Sequence, residues 1–185
     1  MIKIGIIIGS TRPGRIGEKV GKWVYEQAIK RNDAQFEIID IKDYNLPLLD
    51  EPVPAAYGQY SKEHTKTWAA KIASLDGFVF ITGEYNHSTI GALKNAIDYL
   101  YAEWNNKSAG FVSYGASGGV RAVEHLRQIA ANLQIADVRA QVQLSIFTDF
   151  ENFTEFKPAP NHENDLHTLF DQVISWGKAL KSLHN

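Results

Sequence analysis

The stretch Ile2-Lys3-Ile4-Gly5-Ile6-Ile7-Ile8-Gly9-Ser10-Thr11-Arg12-Pro13-Gly14-Arg15-Ile16-Gly17 decides the fold. Five of its first seven residues are isoleucine, a near-continuous apolar run of the kind a strand buried on both faces requires. The run stops at Gly9, and a turn of glycines, hydroxyls and arginines leads into a helical period over residues 17–30. There Val20, Trp23, Val24, Gln27 and Ala28 share one face while Glu18, Lys22, Glu26 and Lys30 turn away. A buried strand feeding an amphipathic helix is the opening unit of a parallel sheet covered by helices.

The alternation continues along the chain. Apolar runs at 36–41, 77–82, 109–113 and 138–145 predict four more strands, and 3.6-residue periods at 62–74, 90–101, 120–133 and 165–183 predict the helices that follow. Residues 43–60 carry Pro47, Pro52, Pro54 and Gly58 and read as an irregular loop long enough to be functional. Pro158 and Pro160 mark an extended segment before the last helix. Five βα units with no internal repeat and no linker imply one α/β domain over 1–185. An open sheet of order 2-1-3-4-5 with helices on both faces suits them, although periodicity does not fix strand order.

Nineteen basic residues stand against 21 acidic ones, a net charge of −2 that favours neither nucleic acid nor a membrane surface as partner. Any phosphate-binding charge is therefore local. The chain has no cysteine, which removes disulfides, thiolate metal sites, iron–sulfur ligation and thiol catalysis, so redox chemistry would need a bound cofactor. The sequence shows no leader pattern and no run of 18 uncharged apolar residues, so the expected setting is cytoplasmic. His162 and His167 would point roughly 140° apart on one helix, so no metal site is expected there.

Ligands of open α/β sheets bind beyond the carboxyl ends of the strands, so the loops leaving strands one, three and four carry the functional signal. In the first, Gly9 to Gly17, free N–H groups at a helix start meet the hydroxyls of Ser10 and Thr11. Arg12 and Arg15 lie among them with no acid inside the loop, and the set reads as a phosphate site. Its glycines match neither G-x-G-x-x-G nor a Walker loop, although Asp40 at the end of the second strand keeps a nicotinamide-binding half-domain open. In the second, Gly83 to Gly91, Tyr85 offers a ring face and Asn86 a donor and an acceptor for a planar heterocycle. The third, Ser113 to Arg121, is rich in glycine, so backbone N–H groups can approach a ring edge that becomes anionic on reduction. It also fits G-x-S-x-G with Ser117 as nucleophile. Asp149 or Asp165 and His162 or His167 lie downstream, so a serine hydrolase stays open, though it leaves the first loop unexplained.

With the three loops in chain order, the sequence resembles the NADPH-dependent FMN reductase family of the flavodoxin-like superfamily. The resemblance rests on Gly9-Ser10-Thr11-Arg12, on Glu84-Tyr85-Asn86 followed by Leu93-Lys94-Asn95-Ala96-Ile97-Asp98, and on Ser113 to Gly119, and it spans residues 2 to about 146. Gly83 and Ile90 depart from it, standing where the family usually has proline. It implies a flavodoxin-like three-layer sandwich with Ser10, Thr11, Arg12, Arg15 and Ile16 around the FMN phosphate. Glu84, Tyr85, Asn86 and Ser88 would lie along the isoalloxazine, and Ser113, Gly115, Ser117, Gly118 and Gly119 near its pyrimidine edge. The implied activity is hydride transfer from NADPH or NADH to bound FMN, then two-electron reduction of a quinone, azo compound, metal ion or free flavin. No side chain is needed as acid or base, because the flavin carries the chemistry. A flavodoxin-type electron carrier is the alternative, although −2 is mild for a protein that docks by charge. The resemblance also implies a homodimer or homotetramer, and the aromatic run Ile97, Tyr99, Leu100, Tyr101, Trp104 either supplies part of an interface or is a deeply buried helix.

Overall fold

The computed structural model describes residues 1–184. Strands β1 (Lys3–Ile8), β2 (Gln35–Asp40), β3 (Gly77–Gly83), β4 (Ser108–Gly115) and β5 (Ala136–Ser145) pair in parallel in the order β2-β1-β3-β4-β5. Register brings the strand ends to one rim: Ile8 lies beside Asp40 and Ile81, and Thr82 beside Ser113.

Successive side chains of each strand point to opposite faces, and both faces are covered. On one side Ile4, Ile6, Val79 and Val112 pack against helices α1 (Gly17–Ala28) and α5 (Asn161–Leu180), through Val20, Val24, Phe170 and Val173. On the other, Ile7, Phe78, Phe80 and Phe111 meet α2 (Glu63–Ala73), α3 (Gly91–Asp98) and α4 (Val120–Asn132), through Trp68, Ile72, Leu93 and Leu126. Among the described residues, no helix is long and apolar enough to cross a membrane.

Four expectations are corrected. The loop after β2 is not shapeless but holds two 3-10 turns, Ile41–Tyr44 and Ala55–Tyr57. Helix α3 ends at Asp98, and a separate 3-10 turn covers Ala102–Trp104. Helix α5 starts at Asn161, four residues early, because Pro160 with φ −58° is already preset for a helix entry. The segment before it contains a small antiparallel hairpin, β6 (Phe150–Glu151) and β7 (Glu155–Phe156).

Of the two readings of the aromatic run that begins in α3, burial is the one the structure shows. Ile97, Tyr99, Leu100 and Trp104 are all within 3% of full burial inside this one chain. The Trp104 indole donates to the Ile97 carbonyl at 3.1 Å and packs on Phe78, Phe80 and Trp68. The long loop after β2 supplies the missing cover: the Tyr99 hydroxyl donates to the Pro47 carbonyl and to Asp50.

Candidate active site

The first loop is locked from an unexpected direction. Arg15 is nearly buried, and its guanidinium makes a two-pronged ion pair with Asp40 at the end of β2 while donating to the Ser10 carbonyl at 2.5 Å. Asp40 neutralises Arg15, so the positive charge that the sequence reading left on both arginines resides on Arg12, which makes no ion pair among the described residues. Among the described residues, the N–H groups of Gly17 and Glu18 at the start of α1 find no backbone acceptor, as at any helix entry. Ser10 is buried beneath the loop, its hydroxyl 3.4 Å from the Arg12 N–H and 3.4 Å from the Tyr85 hydroxyl.

The second loop is a two-residue hairpin. Tyr85 and Ser88 exchange backbone hydrogen bonds at 3.0 and 3.1 Å, and Asn86 and His87 between them take positive φ of 48° and 71°. That is the turn geometry matched to strand twist. Three side-chain contacts fasten it. Glu84, almost buried, pairs with Arg121 and accepts its N–H at the start of α4; the Ser88 hydroxyl meets His125 Nδ1 at 2.8 Å; Thr82 lies 3.3 Å from Thr89. The loop is therefore held without the family's usual prolines. Gly83 is excluded from being one: a Cβ there would lie 2.9 Å from the Tyr114 ring.

The third loop turns on Gly118 and Gly119, both at φ near +70°, a region that L side chains rarely adopt. The Ser113 hydroxyl, fully buried, donates to the Gly118 carbonyl at 2.6 Å and so shapes the turn from below. Tyr114 lies where the loops meet, under Gly17 of the first and Gly83 of the second. Burial pushes its phenol well above the ordinary tyrosine value, so it stays protonated.

Arg12, Gly14, Arg15 and Ile16, then Glu84 and Tyr85, then Tyr114, Gly115 and Ala116 line one pocket of about 390 Å³. Its remaining wall is Gly83, Ile146, Phe153 and Thr154. Of the residues singled out from sequence, Arg12, Arg15, Ile16, Glu84, Tyr85 and Gly115 come together on this lining. Thr11 faces a neighbouring pocket of about 300 Å³ with Ile41, Lys42 and Asn95, and Ser88 faces a groove between α3 and α4. Asn86 and Ser117 are exposed at their loop tips, while Ser113, Gly118 and Gly119 form the turn behind the lining.

Sequence reasoning missed Tyr114, Asp40 as the partner of Arg15, the Arg121 clamp and Phe153. The Asp40 position at a strand end was visible; nothing in the sequence marks Phe153, which lies beyond the resembling segment. For a hydrolase, the structure does not bring the parts together. His162 Nε2 lies 3.0 Å from Asp149, but that buried carboxylate also accepts the N–H groups of Ser145 and Ala159, and no hydrogen bond joins Ser117 to a histidine among the described residues.

A three-loop pocket on the carboxyl rim of a 2-1-3-4-5 sheet defines a flavodoxin-like protein. The chain belongs to the NADPH-dependent FMN reductase family, whose model matches residues 2–149. It is similar to an NAD(P)H-dependent FMN reductase of Nectria sp, 41% identical over 158 residues that cover 80% of this chain and 79% of that one. It is 33% identical over 187 residues to a quinone reductase of Pseudomonas putida strain KT2440, covering 95% and 94% of the two chains. The fold is shared with the flavoenzyme NAD(P)H:(acceptor) oxidoreductase FerB of Paracoccus denitrificans, at a TM-score of 0.72 and 18% identity over 97% of this chain and 98% of that one.

Proposed function

We propose that the chain is an NAD(P)H-dependent FMN reductase whose acceptor is a quinone. The observation that carries the reading is the convergence of three loops, each with a different donor type, on one pocket. The residues fit the cofactor. Arg12 and the free N–H groups at the start of α1 suit a phosphate, the more so because Arg15 is held away by Asp40 and cannot collapse onto the same anion. Tyr85 and Gly115 offer a ring face and an open backbone edge in the same cavity.

When bound, FMN supplies the chemistry, accepting hydride from NAD(P)H and passing two electrons onward. The net conversion consumes NAD(P)H, a quinone and one proton, and yields NAD(P)⁺ and hydroquinone. The chain's own residues bind and orient. Arg12 neutralises phosphate, the Glu84–Arg121 pair fixes the Tyr85 loop against α4, and the Ser113 hydroxyl holds the glycine turn open. A quinone acceptor is supported by relatives named 2-hydroxy-1,4-benzoquinone reductase, in Burkholderia sp, and quinone reductase, in P. putida.

The test is anaerobic titration of FMN-loaded protein with NADPH, followed by addition of a quinone. Bleaching of the yellow absorbance by one equivalent and its return on quinone addition are expected. Protein that stays colourless in FMN, or that binds it and consumes no NAD(P)H, sinks the proposal.

A further inference from the structure

Tyr114 is the next-to-last residue of β4, and the strand's alternation points its side chain to the face that α1 and α5 cover. Two glycines make room for it. Gly83 is its neighbour in the β3–β4 register, and a Cβ there would approach the ring to 2.9 Å; a Cβ on Gly17, the first residue of α1, would lie 2.6 Å from the phenol oxygen. The ring is therefore wedged between the second loop and α1, backed by Phe150 at 6.4 Å, and its hydroxyl ends at the helix start. Tyr114 is 6% exposed, yet it belongs to the lining that also holds Arg12, Gly14 and Ile16.

A ring placed there for packing alone would be phenylalanine, since a hydroxyl taken out of water costs free energy unless a partner replaces the water. The groups around this hydroxyl share one character. Its polar neighbours are the hydroxyls of Ser10 and Tyr85 and the guanidiniums of Arg12 and Arg15, with no carboxylate among those described. Burial keeps the phenol protonated against the pull of both cations, so it is a donor at neutral pH. Arg15 is paired with Asp40, whereas Arg12 and the N–H groups of Gly17 and Glu18 are not answered by any described acceptor of the same kind. A buried donor, an unpaired cation and a helix start thus meet at one end of the pocket, and the set lacks an anion.

We infer that the Tyr114 hydroxyl donates to the phosphate of FMN and so helps the site select the phosphorylated flavin over the bare one. The inference rests on the FMN reductase reading and narrows it. It assigns one further binding residue, on a strand end outside the first loop, and adds no step to the reaction. The ribityl hydroxyls of FMN could also accept, but the unpaired cation and the helix start beside the phenol favour charge over a neutral oxygen.

The experiment uses the full chain freed of flavin and reads the Kd for FMN and for riboflavin from the quenching of flavin fluorescence, with thermal melts to verify that each variant is folded. Parent protein is expected to bind FMN more tightly than riboflavin. Tyr114→Phe keeps the ring and removes one oxygen; it is expected to weaken FMN about 10-fold, the low end of a hydrogen bond to a charged group, and to leave riboflavin within about twofold. The phosphorus NMR resonance of bound FMN is expected to differ between parent and Tyr114→Phe. Gly17→Ala keeps the helix N–H but displaces the phenol oxygen, so it too is expected to weaken FMN selectively. Because the two changes act through one contact, Gly17→Ala/Tyr114→Phe should bind FMN within about twofold of Tyr114→Phe alone. Equal losses for FMN and riboflavin in Tyr114→Phe overturn the inference by making the phenol scaffold or ring wall, as do an FMN affinity left within twofold and an unmoved phosphorus resonance. Should Tyr114→Phe not fold, Gly17→Ala decides, and FMN and riboflavin weakened alike, or FMN unaffected, overturns the inference. Parent protein that binds FMN and riboflavin equally well overturns it and leaves the reductase reading standing. Parent protein that binds neither removes the reductase reading itself, and that outcome is read first.

Discussion

Two arginines three positions apart do different work, and charge pairing decides which does what. Arg12 has no ion-pair partner among the described residues, so its full charge faces the pocket. Arg12→Ala is expected to weaken FMN binding by about 1.5–3 kcal/mol, the scale of a charge-assisted hydrogen bond. Equilibrium dialysis measures it, and an unchanged affinity would place the phosphate elsewhere. Arg15 and Asp40 are both largely buried and hold the loop to the end of β2. Removing one leaves the other charged in a poorly solvated place, so Asp40→Asn is expected to cost about 3 kcal/mol of folding stability. Denaturant melts of the FMN-free protein check this; a change under about 0.5 kcal/mol, as for an exposed pair, would show that the pairing does not hold the loop.

At the scale of elements, the loop after β3 shows how one structural need is met by another route. The family's prolines would stiffen it through the backbone, whereas here the Tyr85–Ser88 hairpin, the Glu84–Arg121 pair and the Ser88–His125 bond do so. Tyr114 is the reason position 83 must be glycine, and Gly83→Ala is expected to cost about 1–3 kcal/mol by overpacking against that ring. A neutral result in thermal melts would mean that the ring yields. This also marks where the sequence stops being readable. The five strands, their parallel sense and the three loops that converge on one pocket were legible because buried runs and glycine turns are local signals. The Arg15–Asp40 lock, the Arg121 clamp and the burial of Tyr99 and of Trp104 against Trp68 were not, because each depends on a residue 25 to 52 positions away.

For the whole molecule, the rim that binds and the opposite end that only holds respond to different variables. Before β4, Lys107 is 5% exposed and donates to the last carbonyls of α2, Ile72 at 2.7 Å and Ala73 at 3.2 Å. Burial lowers its pKa to about 8 from an unfolded value near 10.5. Between those values the unfolded chain binds more protons, so this group adds stability as pH rises from 8 to 10.5. Parent protein is expected to gain stability relative to Lys107→Met over that interval, read by denaturant melts at pH 7.5 and 10; parallel curves would refute it. The ligand rim is tested by linkage instead. FMN at a hundredfold its Kd stabilises the folded state by about 2.7 kcal/mol, which for a domain of this size raises Tm by roughly 5–10 °C. At the same FMN concentration, Arg12→Ala is expected to lose about half of that shift, since a tenfold weaker Kd leaves about 1.4 kcal/mol. Riboflavin, which lacks the phosphate, separates the two ends of the cofactor. It should shift parent and Arg12→Ala equally, and should lose its effect in Tyr85→Ala, whose ring lies on the pocket lining. An Arg12→Ala variant that loses as much of the riboflavin shift as of the FMN shift would put Arg12 against the ring rather than the phosphate.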